Sequence, residues 1–194
     1  FKSFKIRVSI TKMINLSQDE LSAIYLSLKI AFTASLISLP FAIIIGYLFA
    51  RKNFYFKKFF ISILNLPLVL PPVVTGYLLL ITFGTNGAIG KLLLEYFNFT
   101  FAFKWTGAAL ACAVMGFPLM IRSIKVSIEM IDIKYEEAAR TLGANKFIVF
   151  ISIILPLSLP GIIAGFTLCF ARALGEFGAT VTFVSNIPGE TQTL

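Results

Sequence analysis

Four stretches of this chain carry no Asp, Glu, Lys or Arg over residues 30–50, 59–90, 105–121 and 147–171. A helix that crosses a bilayer needs about 20 mainly apolar residues, with roughly 17 to 25 as the working range. The sequence therefore predicts an all-α, polytopic bundle of four membrane crossings, at about 21–50, 59–83, 105–121 and 147–171. The first reaches back to residue 21 provided that Lys29 snorkels or faces protein. Composition closes off the soluble alternative. Only 13% of the 194 residues are charged, against roughly 25% in a soluble domain, so charge cannot coat a water-facing surface of this size.

Prolines interrupt every run: Pro40 in the first, Pro67, Pro71 and Pro72 in the second, Pro118 in the third, Pro156 and Pro160 in the fourth. Broken helices persist at membrane depth only where protein or a wet cavity satisfies the freed backbone groups. Breaks in all four runs favour a transport path over a simple anchor. The basic residues set the orientation. Arg51, Lys52, Lys57 and Lys58 occupy the first connection, and Arg122, Lys125, Lys134, Arg140 and Lys146 the third; the second holds Lys91 and Lys104. The first and third connections are expected in the cytoplasm and the second outside.

Lys2, Lys5, Arg7 and Lys12 run against that orientation. The expectation is that residues 1–12 are an upstream or non-native extension and that the transmembrane domain covers 13–194, starting at Met13; the alternative is a missing upstream helix that puts these charges inside. Residues 172–194 read as a polar, glycine-rich outer segment after which a last helix is missing. The net charge of +8 is dispersed between apolar runs, which suits anionic lipid headgroups and not nucleic acid. Cys112 and Cys169 lie within apolar runs, and there is no histidine, so no metal-ligand spacing is present. Gly84 to Leu92 differs from a phosphate loop by one surplus residue and by Leu92 where Ser or Thr should stand; it reads as an external glycine-rich turn.

The third connection, about residues 132–146, carries the most specific signal. Glu136, Glu137, Ala138, Ala139, Arg140 and Leu142 favour a helix, with acidic residues leading and basic ones following. Gly143 suits its end. Glu137-Ala138-Ala139, three residues, Gly143, nine residues, then Ile153-x-Leu155-Pro156 match the E-A-A-x3-G-x9-I-x-L-P pattern at every fixed position. On these residues the chain resembles the permeases of type I ABC importers. The segments Ala138–Ala144, Phe170–Thr180 and Thr182–Thr191 are similar to molybdate transporter permeases, a resemblance that covers nearly all of 13–194. Sulfate/thiosulfate permeases share the loop and the Arg-x-x-Gly-Glu segment but generally differ in the residues beyond it, and tungstate is a further alternative cargo.

The resemblance implies that Glu137, Ala138, Ala139 and Gly143 form the helix that docks on a cytoplasmic ABC ATPase, present in two copies. ATP and Mg would be bound by that partner, and this chain would be a transport subunit and not an enzyme. It further implies a homodimer around one path, a periplasmic or lipid-anchored oxyanion-binding protein that selects the cargo, and a bacterial inner-membrane location. Arg172, Glu176, Thr180, Thr182 and Ser185 are the candidate path residues. Arg172 and Glu176, four apart, share a helix face, and that pair equally suits the outer end of the fourth crossing. Gly161 and Gly165 form a small-x3-small pair for close helix packing. An ATPase-independent secondary transporter or channel is the competing class. It leaves the loop pattern unexplained and expects acids or histidines within the apolar runs, which hold none.

Overall fold

The computed structural model describes residues 18–185. The expectations for residues 1–12, for a start at Met13 and for a helix beyond residue 194 lie outside the described residues, as do Asn186 to Thr191. Among the described residues every regular element is helical.

The first run forms α1, Gln18–Arg51, without a break at Pro40. At 1.5 Å per residue it is about 50 Å long, so it crosses obliquely or protrudes. The third run forms α5, Trp105–Glu129. It runs on past Arg122, eight residues beyond the approximate end at 121, because Lys125 pairs with Glu129 one turn on at 3.1 Å and helix geometry persists beyond the hydrocarbon. This helix is the axis of the fold, and α1 packs along one side of it. Its faces are built from small or slender residues, with Ala108, Ala111, Cys112, Met115 and Met120 all within 1% of full burial.

The second run is not one straight crossing. It divides into α2, Lys57–Val69, and α3, Pro72–Phe83, bent by 112° at Leu70-Pro71. Pro71 and Pro72 lack the N–H groups that a continuing helix needs. The pair still traverses the bundle. The start of α2 lies near the end of α1, where Phe54 stacks on Phe49 with centroids 6.1 Å apart. The end of α3 lies at the opposite pole, where Phe83 meets Phe101 edge-on at 5.9 Å. After a turn, α4, Ala88–Phe97, replaces most of the expected external glycine-rich turn. Asn98, in the left-handed conformation (φ 48°), closes it.

The fourth run departs furthest from expectation. It comprises α7, Lys146–Leu157, and α8, Leu159–Leu174, bent by 67° at Ser158; α7 contains one π turn at Phe150–Ile154. Then comes α9, Gly178–Val184. Along α8, Gly161 approaches Ser127, Gly165 approaches Met120 and Cys169 approaches Gly116, so α8 runs antiparallel to α5 and both glycines serve packing within the chain. By Ala173 it has reached only Cys112, whose thiol lies 3.5 Å from the Ala173 carbonyl, well short of the Trp105 end. The remaining depth is covered by α9, with Val184 beside Gly107. The helix expected to stop at 171 thus runs to 174, and residues 172–184 are a buried helix end, a break and a second helix, not an outer polar segment. The charge at Arg172 marks no boundary because Glu176 neutralises it.

The contact of α9 with α3 is intimate. A Cβ on Gly76 would sit 2.6 Å from the Ala179 carbonyl and 2.9 Å from Thr182 Cβ. Gly76→Leu is expected to force the two helices apart at a cost of roughly 2 kcal/mol or more. The check is the thermal midpoint of the detergent-solubilised protein, compared with Tyr77→Leu on the exposed face of the same helix, which should leave it unchanged.

Candidate functional site

Two places concentrate polar chemistry, one at each level of the bundle. The first is α6, Ile133–Thr141, between α5 and α7. Asp132 caps its start by accepting from the Lys134 amide at 3.0 Å. Its end is a Schellman closure: the Gly143 amide donates to Arg140 O at 3.0 Å and the Ala144 amide to Ala139 O at 3.1 Å. Gly143 has φ +88° and open space around it, so the requirement for glycine is conformational and not steric. Of the four residues singled out by the sequence, Glu137, Ala138 and Gly143 are exposed and Ala139 is half-buried against the inner core. Leu142, Tyr135 and Ile133 stand 89%, 60% and 56% exposed around them, giving the helix a bare, partly apolar outer face.

A residue that sequence reasoning missed fixes this helix in place. Glu136 is 4% exposed. One carboxylate oxygen lies 2.5 Å from Arg51 Nε at the end of α1, and the other 3.4 Å from the Arg140 guanidinium. Arg51 also donates to the Ile131 carbonyl at 2.8 Å. One arginine therefore ties the end of α1, the α5–α6 turn and α6 into one rigid corner. The only sequence signal for this was the Glu136/Arg140 spacing; Arg51 stands far back along the chain and carries no local mark of the contact.

The second place is the break between α8 and α9. Arg172 on the last turn of α8 pairs with Glu176 at 2.6 Å. The other Glu176 oxygen accepts from the Ala179 amide at 2.9 Å, satisfying one of the free donors at the start of α9. Glu176 is 3% exposed, whereas the Arg172 side chain retains 29% exposure. Thr180 is buried and its hydroxyl donates to the carbonyls of Glu176 and Phe177, both at 2.9 Å. Thr182 donates to Gly178 O at 2.7 Å. Ser185, exposed and at φ 66°, ends α9. The structure thus brings Arg172, Glu176 and Thr180 together, with Thr182 and Ser185 further along the same helix. Both threonine hydroxyl protons are committed to backbone. Among the described residues no cluster of His, Cys, Asp or Glu could hold a metal.

A family model described as the binding-protein-dependent transport system inner membrane component matches residues 11–194. Over 175 residues the chain is 59% identical to the molybdenum transport system permease protein ModB of Haemophilus influenzae, spanning 90% of this chain and 76% of that one. To the ModB of Escherichia coli K12 it is 58% identical over 179 residues, 92% of this chain and 78% of that one. Sulfate permease 2 of the Chlamydomonas reinhardtii chloroplast is 41% identical over 177 residues, 91% of this chain and 47% of that one.

Removing one partner of a buried ion pair costs several times what the pair contributes, because the other charge stays buried. Glu136→Gln is expected to destabilise the α6 corner by about 3 kcal/mol. The measurement is protease cleavage between Met130 and Lys146 in inverted membrane vesicles: Glu136→Gln should be cut faster, while Arg51→Met/Glu136→Leu should approach the wild-type rate.

Proposed function

The chain belongs to the family of binding-protein-dependent transport system inner membrane components, and from that premise we propose that it is the permease subunit of an ATP-driven importer for molybdate. The observation that carries the reading is α6. The family's loop pattern folds into a separately capped helix outside the bundle, with its outer face bare and its inner face bolted to α1 and to the turn that follows α5. That is the shape a lever needs: rigid toward the membrane helices, open toward a partner. The cargo rests on 58% and 59% identity to two proteins named for molybdenum transport, against 41% to a sulfate permease.

The partner on α6 is a cytoplasmic ABC ATPase, two copies serving two permease chains that enclose one path. ATP and Mg belong to that partner, and a binding protein on the opposite face delivers the oxyanion. Closure of the ATPase pair would press on Glu137, Ala138, Ala139 and Gly143, and the Arg51–Glu136 corner would pass the displacement to α1 and α5. The chain sits in the cell inner membrane as a multi-pass protein.

In the path, Arg172 is the natural electrostatic landmark. Its guanidinium offers five donors, of which Glu176 engages one end. A paired arginine attracts a dianion without binding it so deeply that it cannot leave, which is what conduction requires. Thr180, Thr182 and Ser185 flank that position on α9. The hydroxyl protons of the two threonines being committed, their contribution is helix shape.

Two experiments test the reading. Gly143→Leu should strain the left-handed closure of α6 by roughly 1–2 kcal/mol. It should abolish most ATP-dependent molybdate uptake in reconstituted vesicles while inserted protein stays within about twofold of wild type; wild-type uptake would refute the docking role. Arg172→Gln combined with Glu176→Gln, so that no buried carboxylate is stranded, should lower uptake by about tenfold, the size expected from losing one charge-assisted contact. Unaltered uptake would remove Arg172 from the path.

A further inference from the structure

Beside the inner half of α5 lies a cavity of about 370 Å³ that the transport reading does not use. Its apolar wall is formed by Leu64, Leu68 and Val69 of α2 facing α5; its polar groups are Asn65, Arg122 and Lys125. Asn65 donates through Nδ2 to the Ile61 carbonyl at 2.8 Å and retains its second N–H. Lys125 shares its charge with Glu129 at 3.1 Å. Arg122 is exposed, and no carboxylate among the described residues pairs with it. The cavity therefore joins a long apolar wall to a surplus positive charge.

Depth identifies what such a cavity accepts. With 25 residues, α5 is about 37 Å long, against a hydrocarbon core of about 30 Å. Arg122 lies seven residues before Glu129, about 10 Å along the axis. Centred in the bilayer, its Cα sits about 7 Å inside the hydrocarbon edge, a distance that the extended side chain spans to reach the headgroups. A bare dianion placed there would lose hydration against the α2 wall with little in return. An amphiphile loses nothing: its anionic head meets Arg122 and its chain lies along Leu64, Leu68 and Val69. The adjacent helix is loosely held, since α2 has no buried residue, so a chain lying against it would also cover apolar surface that the protein leaves bare.

We propose that the cavity bounded by α2 and α5 binds an anionic phospholipid of the inner leaflet, with Arg122, supported by Lys125 and Asn65, on its phosphate. The lipid acts as a wedge that fixes α2 relative to α5.

The test uses the full chain in mild detergent, saturated with phosphatidylglycerol or phosphatidylcholine and read by native mass spectrometry. Phosphatidylglycerol retention should exceed phosphatidylcholine retention by about tenfold, the effect of one charged contact. Arg122→Gln should erase that preference and Arg122→Lys should keep most of it. Leu68→Trp, which fills the cavity and leaves the charges alone, should reduce retention of both lipids. Millimolar molybdate or inorganic phosphate should displace neither. Equal retention of the two lipids overturns the proposal, as does a preference that survives Arg122→Gln. Displacement by free oxyanion also overturns it and makes the cavity an anion site. Retention is read without transport, so any of these results leaves the permease reading standing.

Discussion

Inside a bilayer no water waits to satisfy a peptide group that a helix break sets free. Three breaks in this fold, at Leu70-Pro71, Ser158 and Gly175–Phe177, have to meet that constraint from within. At the first, the Leu70 amide closes back on Leu66 O at 2.9 Å, and two prolines come next that have no amide to strand. At the second, the Ser158 amide donates to Ile154 O at 2.9 Å and its hydroxyl to Leu155 O at 3.1 Å. At the third, the Glu176 carboxylate caps the start of α9. The bundle tolerates broken crossings because each break brings its own partner, and α3 and α9 end up in contact because each begins at such a break.

The two buried carboxylates obey one logic at different levels of the bundle. Glu136 and Glu176 are both almost fully enclosed, and each is held by an arginine one turn away or on another helix. Isolated, either would be intolerable at that depth. Paired, each becomes a fixed point. Glu136 makes the outer helix move with α1; Glu176 makes α9 begin where α8 ends. Replacing such pairs by apolar residues often leaves stability unharmed, so stability alone does not explain them. What the pairs add is rigidity, at the corner beneath α6 and at the break between α8 and α9.

The apolar runs of the sequence determined the class of fold, because the demand for about 20 uncharged residues per helix is local and chemical. The loop pattern from Glu137 to Pro156 placed a short helix between the third and fourth runs, since helix formers, a cap and a left-handed glycine are read from neighbouring residues. A single run could not disclose how a charge is met in space. Arg172 looked like the end of a crossing, and only packing showed that Glu176 and the α3 surface let the chain continue for another helix. Arg51 looked like a topology signal, and only the tertiary structure placed it on Glu136. Hydropathy counts each residue by itself; burial of a charge depends on the partner that arrives from elsewhere in the chain, so the apolar helices were written in the sequence and the ends of those helices were decided by the fold.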